Sequence, residues 1–255
     1  LIPLEYKLAQ RAARALRTAG EPLPAREVIY RILSLSSIAD SHQRMLEKMA
    51  EPVIDGRFFR DEDRLGLWEW RYPMAAEGQP LVVLDLETTG LSPRDNEIIE
   101  IALLRIDGGE LTRFSTMVNP GGPIPPFITR LTGINDADVA AAPDVYQALE
   151  EALPYLQGAT LIIQNAPFDM GFLRPRARRL GVKMHNEVVD TVQWARRALP
   201  MLKRKGLDQL IRVFDVPIKA KERHRAFGDV EATWAVAKEL YYILTAGVQI
   251  RPSEV

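Results

Sequence analysis

The chain has 255 residues, enough for one large domain or two smaller ones with a substantial core. Its 47% hydrophobic and 26% charged content is that of a soluble globular protein, and no apolar run approaches the roughly 20 residues a membrane helix needs. Cysteine is absent, which excludes disulfides and thiolate metal sites, and a net charge of −1 means that any nucleic-acid contact must come from local basic clusters.

In chain order, residues 4–20 place Leu4, Leu8, Ala12 and Leu16 at helical spacing. "GEPLP" breaks that helix, "AREVIYRILSLS" predicts a second and "SHQRMLEKMA" a third. "GRFFRDEDRLGLWEW" predicts a β-hairpin with Phe58, Phe59, Leu65, Leu67 and Trp68 on its strands. Three helices and a hairpin resemble a winged helix, a module that grips nucleic acid or protein. "YPMAAEGQP" reads as a linker, so the expected limits are a first domain at 1–72, a linker at 73–80, a second domain at 81–246 and a frayed tail at 247–255. In the second domain, strands are predicted at 81–86, 97–106 and 111–118, the last two joined by "DGGE". "PPFITRLTG" and "PDVYQALEEALPYL" predict helices, and "TLIIQN" another strand. A helix near 167–180, a short strand at "EVVD" and helices to about 245 complete the pattern. "QLIRVF" sits inside one of these as core. The whole predicts an α/β mixed sheet flanked by helices. No signal-peptide pattern opens the chain, and the expected location is the cytoplasm. The first residue is Leu rather than Met, as expected of a trimmed chain or a piece of a longer one.

"VVLDLETTGL" raises a physical question. Asp85 and Glu87 stand two apart in an apolar run, so they project side by side and repel. Carboxylates in such a setting need a positive partner. Asp169 follows a later strand in "IIQNAPFD", and Asp229 lies early in the last long helix in "HRAFGD". His224, five residues before Asp229, is about 140° out of line on an ideal helix and is therefore placed on the preceding loop. Singly, each has a plain structural reading. Asp169 can cap a helix, Asp229 can favour a helix dipole and His224 can lie on the surface. D-x-E, N-x-x-x-D and H-x-x-x-x-D in this order form a specific set.

That set resembles the DEDDh exonucleases, the DnaQ-like branch of the ribonuclease H superfamily. "LDLETTGLSPRDNEIIEIALLRI" is similar to their first motif, "LIIQNAPFDMGFL" to the second and "HRAFGDVEAT" to the third. "LTGIND" and "VVDTVQWAR" fall where the family has similar stretches. The likeness covers Pro80 to Leu244 and is to the proofreading, epsilon-type exonucleases of bacterial replicative polymerases. It implies a ribonuclease H-like five-stranded sheet and two divalent cations, Mg²⁺ or Mn²⁺. The implied metal ligands are Asp85, Glu87, Asp169 and Asp229, and His224 is the implied general base.

The resemblance further implies removal of nucleoside 5′-monophosphates from 3′ ends. Thr88, Thr89, Gly90 and Leu91 would seat the last nucleotide, with Gln164, Asn165 and Phe168 beside them. Gln164 departs from the family, where most relatives have His. The basic runs at 174–179, 203–205 and 219–225 are candidates for phosphate contact. The expected partner is single-stranded DNA, with a polymerase or repair complex as its setting and no membrane. Two alternatives stay open: an RNA 3′-end trimmer, because the acids do not distinguish the sugars, and a docking module without activity.

Overall fold

The computed structural model describes residues 4–19, 21–33, 58–61, 64–67, 80–108, 110–218 and 224–245. The chain divides into two compact units, Leu1–Met74 with Tyr242–Val255, and Ala75–Tyr241. The expected third helix at 41–50, Trp68 of the expected hairpin, residues 73–79 of the expected linker at 73–80 and the tail at 247–255 lie outside the described residues. No described helix is long and apolar enough to cross a membrane.

In the first unit, α1 (Leu4–Ala19) and α2 (Ala25–Leu33) flank a two-residue strand, β1 (Leu23–Pro24). The hairpin is β2 (Phe58–Asp61) and β3 (Arg64–Leu67), paired antiparallel from Phe58↔Leu67 to Asp61↔Arg64. β1 pairs with β3, so "GEPLP" both ends α1 and adds a strand, a role its prolines hid. Ala9, Ala12, Ala13 and Leu16 meet Val28, Ile32, Leu23 and Leu65 in one small core.

The second unit is a five-stranded sheet in the order β6-β5-β4-β7-β8. β4 (Leu81–Thr88), β5 (Ile98–Asp107) and β6 (Glu110–Met117) form the predicted antiparallel meander. β7 (Thr160–Ile163) and β8 (Val188–Asp190) run parallel to β4. β4 reaches Thr88, so Glu87 lies within the strand. β7 stops at Ile163, which corrects the expected strand over "TLIIQN": Gln164 and Asn165 form a turn because Asn165 is left-handed, at φ 62°.

The helices are α3 (Pro126–Thr132), α4 (Asp136–Val139), α5 (Val145–Leu156), α6 (Ala166–Arg179), α7 (Thr191–Ala198), α8 (Leu207–Phe214) and α9 (Ala226–Thr245). α5 starts where Asp144 accepts from the Tyr146 and Gln147 N–H groups and Gln147 reaches back, a capping box. α3 ends at Gly133 with φ 78°, the left-handed stop that glycine permits. α8 buries Leu207, Leu210 and Phe214, as expected of core.

Val82, Leu84 and Leu86 of β4, Ile101 and Leu103 of β5, and Leu161 and Ile163 of β7 form the main core. They pack with Leu149, Ala152 and Leu156 of α5 and Met170, Phe172 and Leu173 of α6. Each buried aliphatic side chain contributes about 1.5–3 kcal/mol relative to exposure. Leu103 is fully buried in this layer. Leu103→Ala is expected to lower stability by about 2–5 kcal/mol in urea unfolding, through lost transfer energy plus a cavity.

Candidate active site

Across the antiparallel pair, Asp85 faces Ala102 and Glu87 faces Glu100. Alternation sends Leu84 and Leu86 into the core and leaves Asp85 and Glu87 on the opposite side of the strand. The register slips between Glu87 and Thr88, a bulge that ends regular pairing and starts the next loop. Asp229 arrives from the first turn of α9. Asp85, Glu87 and Asp229 each bring a carboxylate oxygen to within 4.8 Å of the others, close enough to hold a metal ion.

Asp169 lies in the first turn of α6 and is 2% exposed. It is not one of that trio. Burial pushes its pKa well above the ordinary carboxylate value, and the negative charges of Glu87 and Asp190 push the same way. Hydrogen bonds from the backbone of Asp169 and Leu86 oppose the shift without cancelling it.

His224 precedes α9 by two residues in a left-handed conformation, φ 59°, off the helix as its spacing to Asp229 requires. Its backbone N–H donates to Asp229 Oδ1 at 3.3 Å. Glu100, only 3% exposed, anchors this junction. It accepts from Arg225 Nε and Nη2, both at 3.2 Å, and from the Ala226 N–H at 3.1 Å. The Glu100 carboxylate holds the Arg225 pKa above its ordinary value. Sequence reasoning missed Glu100, although its signal is the one that marked Asp85: an acid inside an apolar strand, "IIEIALL".

The turn after β7 is also built. Asp190 accepts the Asn165 N–H at 3.2 Å and caps α7 through the Val192 N–H at 2.9 Å. Asn165 therefore contributes backbone geometry at the start of α6, with no side-chain cap bond there. Gln164 accepts from the Thr191 hydroxyl and donates through Nε2 to the Lys205 carbonyl at 3.0 Å. Phe168 packs partly buried on the core, its ring 5.1 Å from that of Phe172.

The loop after β4 is tightly tied. Thr88 Oγ1 donates to the Gly90 carbonyl at 2.7 Å, and Thr89 Oγ1 accepts the Glu97 N–H at 2.9 Å. At Gly90 a Cβ would lie 2.6–2.8 Å from the Asn96 carboxamide, so any side chain there would have to displace that group. Leu91 beside it is 84% exposed.

The basic run 174–179 is not one surface, contrary to its reading as a phosphate-contact cluster. Arg174 and Arg178 are exposed, but Arg176 is 6% exposed and paired with Glu97 at 2.6 Å. Helical rotation turns that one residue inward. Lys203 and Arg204 are exposed, and residues 219–223 lie outside the described residues.

A mixed sheet of this order, with carboxylates on its central strand and on the flanking helices, has the ribonuclease H-like arrangement, and its acidic cluster suits a hard divalent cation. Residues 82–237 match the exonuclease family model (RNase_T), and the chain belongs to that family. The DNA polymerase III PolC-type protein of Caldanaerobacter subterraneus is 42% identical over 158 residues, 62% of this chain and 11% of the relative. The chain thus spans about a tenth of the length of the curated relatives it matches. A solved structure of Exonuclease X with 5′ overhanging duplex DNA is 27% identical, with a TM-score of 0.52. It covers 67% of this chain and 95% of that one. E. coli Exonuclease I with a dA16 oligonucleotide shares the fold at 20% identity and a TM-score of 0.53, over 64% of this chain and 41% of that one.

Asp169 provides a pH-dependent test. A raised folded pKa makes its ionisation a cost that grows as pH rises from the ordinary carboxylate range through the folded value. Asp169→Asn removes that cost. In EDTA, urea unfolding is expected to show equal stability for the two proteins in acid. At pH 8 the variant is expected to be the more stable of the two.

Proposed function

We propose that this chain is a metal-dependent 3′–5′ exonuclease that removes nucleoside 5′-monophosphates from DNA, preferring single-stranded 3′ ends, in proofreading or repair. The grouping of Asp85, Glu87 and Asp229 within 4.8 Å, in a chain of the exonuclease family, carries this reading. We assign its catalytic domain to residues 81–246, preceded by a winged-helix-like domain at 1–72 and a linker at 73–80.

Asp85, Glu87 and Asp229 would hold two divalent cations with Asp169, and a donor set made only of carboxylate oxygens suits Mg²⁺ or Mn²⁺. When bound, such ions offset the negative charge that builds on the phosphate during in-line displacement. His224 accepts the proton of the water that attacks the terminal phosphorus. The bond from phosphorus to the 3′ oxygen of the preceding nucleotide breaks, and that oxygen takes a proton from solvent. The bonds from Arg225 and the Ala226 N–H to Glu100 tie the start of α9, which carries Asp229, to β5, and His224 stands just before that junction.

Leu91 offers exposed apolar surface to the terminal base, and Thr88, Thr89 and Gly90 hold it there. Phe168 lies on the helix that carries Asp169. Gln164 and Asn165 act behind this seat, by shaping the turn. Exposed Arg174, Arg178, Lys203 and Arg204 are available to backbone phosphates. The polymerase relatives and the Exonuclease X–DNA structure support DNA over RNA. A cytoplasmic setting fits that substrate.

The test is digestion of 5′-labelled single-stranded DNA and its RNA twin in Mn²⁺, with EDTA and Asp85→Ala controls. A ladder shortening from the 3′ end of DNA is expected. EDTA should abolish it, and Asp85→Ala should lower the rate by at least roughly 10³-fold with the fold intact. Wild-type turnover in Asp85→Ala removes the site assignment. A ladder on RNA alone moves the substrate to RNA, and no ladder on either leaves the docking module.

A further inference from the structure

Helix α6 brings more to the site than Asp169. Residues seven apart on a helix differ by about 20°, so Arg176 lies two turns on along the face that carries Asp169. A buried guanidinium is costly unless every strong donor direction is used. Arg176 Nη2 donates to the Asn96 carbonyl at 2.9 Å and to Glu97 Oε2 at 2.6 Å, and Nη1 donates to the Phe172 carbonyl at 3.1 Å. Its Cζ also lies 5.2 Å from the centroid of the Phe172 ring, which in turn meets Phe168.

These contacts converge on one loop, residues 89–97. Arg176 holds the main chain at Asn96. The Asn96 carboxamide accepts the Ser92 N–H at 3.0 Å and fills the space beside Gly90. Leu91 is the residue between those two fixed points. α6 itself presses on the loop from below, since a Cβ at Gly171 would lie 3.1 Å from Pro93 Cγ. The loop that shows Leu91 to solvent is therefore braced from the helix that delivers Asp169.

We infer that Arg176 is a positioning residue for the terminal nucleotide, setting substrate affinity by locking the Gly90–Ser92 segment through Asn96. This rests on the reading that Leu91 meets the terminal base. It assigns a recognition role to a residue that touches no nucleotide. It also separates Arg176 from the exposed arginines on either side of it.

The test is steady-state kinetics of the full chain on a fluorescein-labelled ten-nucleotide oligo-dT in saturating Mn²⁺. The variants are Leu91→Ala, Arg176→Met, Asn96→Ala and the double variant Leu91→Ala/Arg176→Met. Methionine fills the volume of Arg176 without its donors. Leu91→Ala and Arg176→Met are each expected to raise KM about tenfold while kcat stays within about twofold. The double variant is expected to be no worse than Leu91→Ala alone, because both act on one contact. Mn²⁺ affinity, read by electron paramagnetic resonance, should stay unchanged.

If Arg176→Met does not fold, Asn96→Ala carries the test with the same expected KM, because it cuts the relay in a surface loop. Leu91→Ala raising KM while Arg176→Met and Asn96→Ala do not would overturn the bracing role and leave the nucleotide seat standing. Additive effects in the double variant would also overturn it. An unchanged KM for Leu91→Ala would remove the seat itself, and this inference with it.

Discussion

Mutual repulsion among Asp85, Glu87 and Asp229 is the constraint on which the site depends. Two like charges 4.8 Å apart repel by roughly 3–4 kcal/mol at an effective dielectric of 20. That exceeds the net worth of a typical hydrogen bond, about 1 kcal/mol. The carboxylates are brought together by β4 and by the first turn of α9, which fix where they sit. Asp169 shows the same pressure from the other side, its burial favouring the protonated form beside Glu87 and Asp190. A divalent cation relieves both, which is why the cluster reads as a binding site rather than as a surface feature.

Three devices hold the acids against that repulsion. β4 sits between β5 and β7, so Asp85 and Glu87 ride on a strand paired on both edges. Glu100, opposite Glu87 on β5, turns a further negative charge into an anchor by taking the Arg225 fork and the first N–H of α9. Asp190 fixes the left-handed Asn165 and so sets where α6 begins, three residues before Asp169. Two of the three devices are themselves acids, each satisfied by backbone N–H groups or a guanidinium. The acidic cluster is thus held in place by neighbouring acids that are themselves paired.

Much of this was legible in the sequence. The alternation of "VVLDLE" placed Asp85 and Glu87 on one face, and the five-residue offset put His224 off the helix. The sheet and its meander followed from apolar runs broken by turn residues. What stayed hidden depended on contacts distant in sequence. Glu100 carried its own signal, yet its partner stands 125 residues away. Arg176 looked like one member of a basic run, and only the packing of α6 on residues 89–97 turned it inward. The end of β7 at Ile163 was set by Asp190 gripping the Asn165 N–H, which no local propensity records.

Gln164, where the family resemblance leads one to expect histidine, is bonded on both sides. Its carboxamide joins Thr191 at the start of α7 to Lys205 before α8, and a neutral amide makes both bonds at any pH. The most direct test of the central claim is anomalous diffraction from crystals soaked in Mn²⁺. The account predicts manganese peaks bound by the carboxylates of Asp85, Glu87 and Asp229. Saturating Mn²⁺ with no peak there, or with peaks only elsewhere, would contradict it.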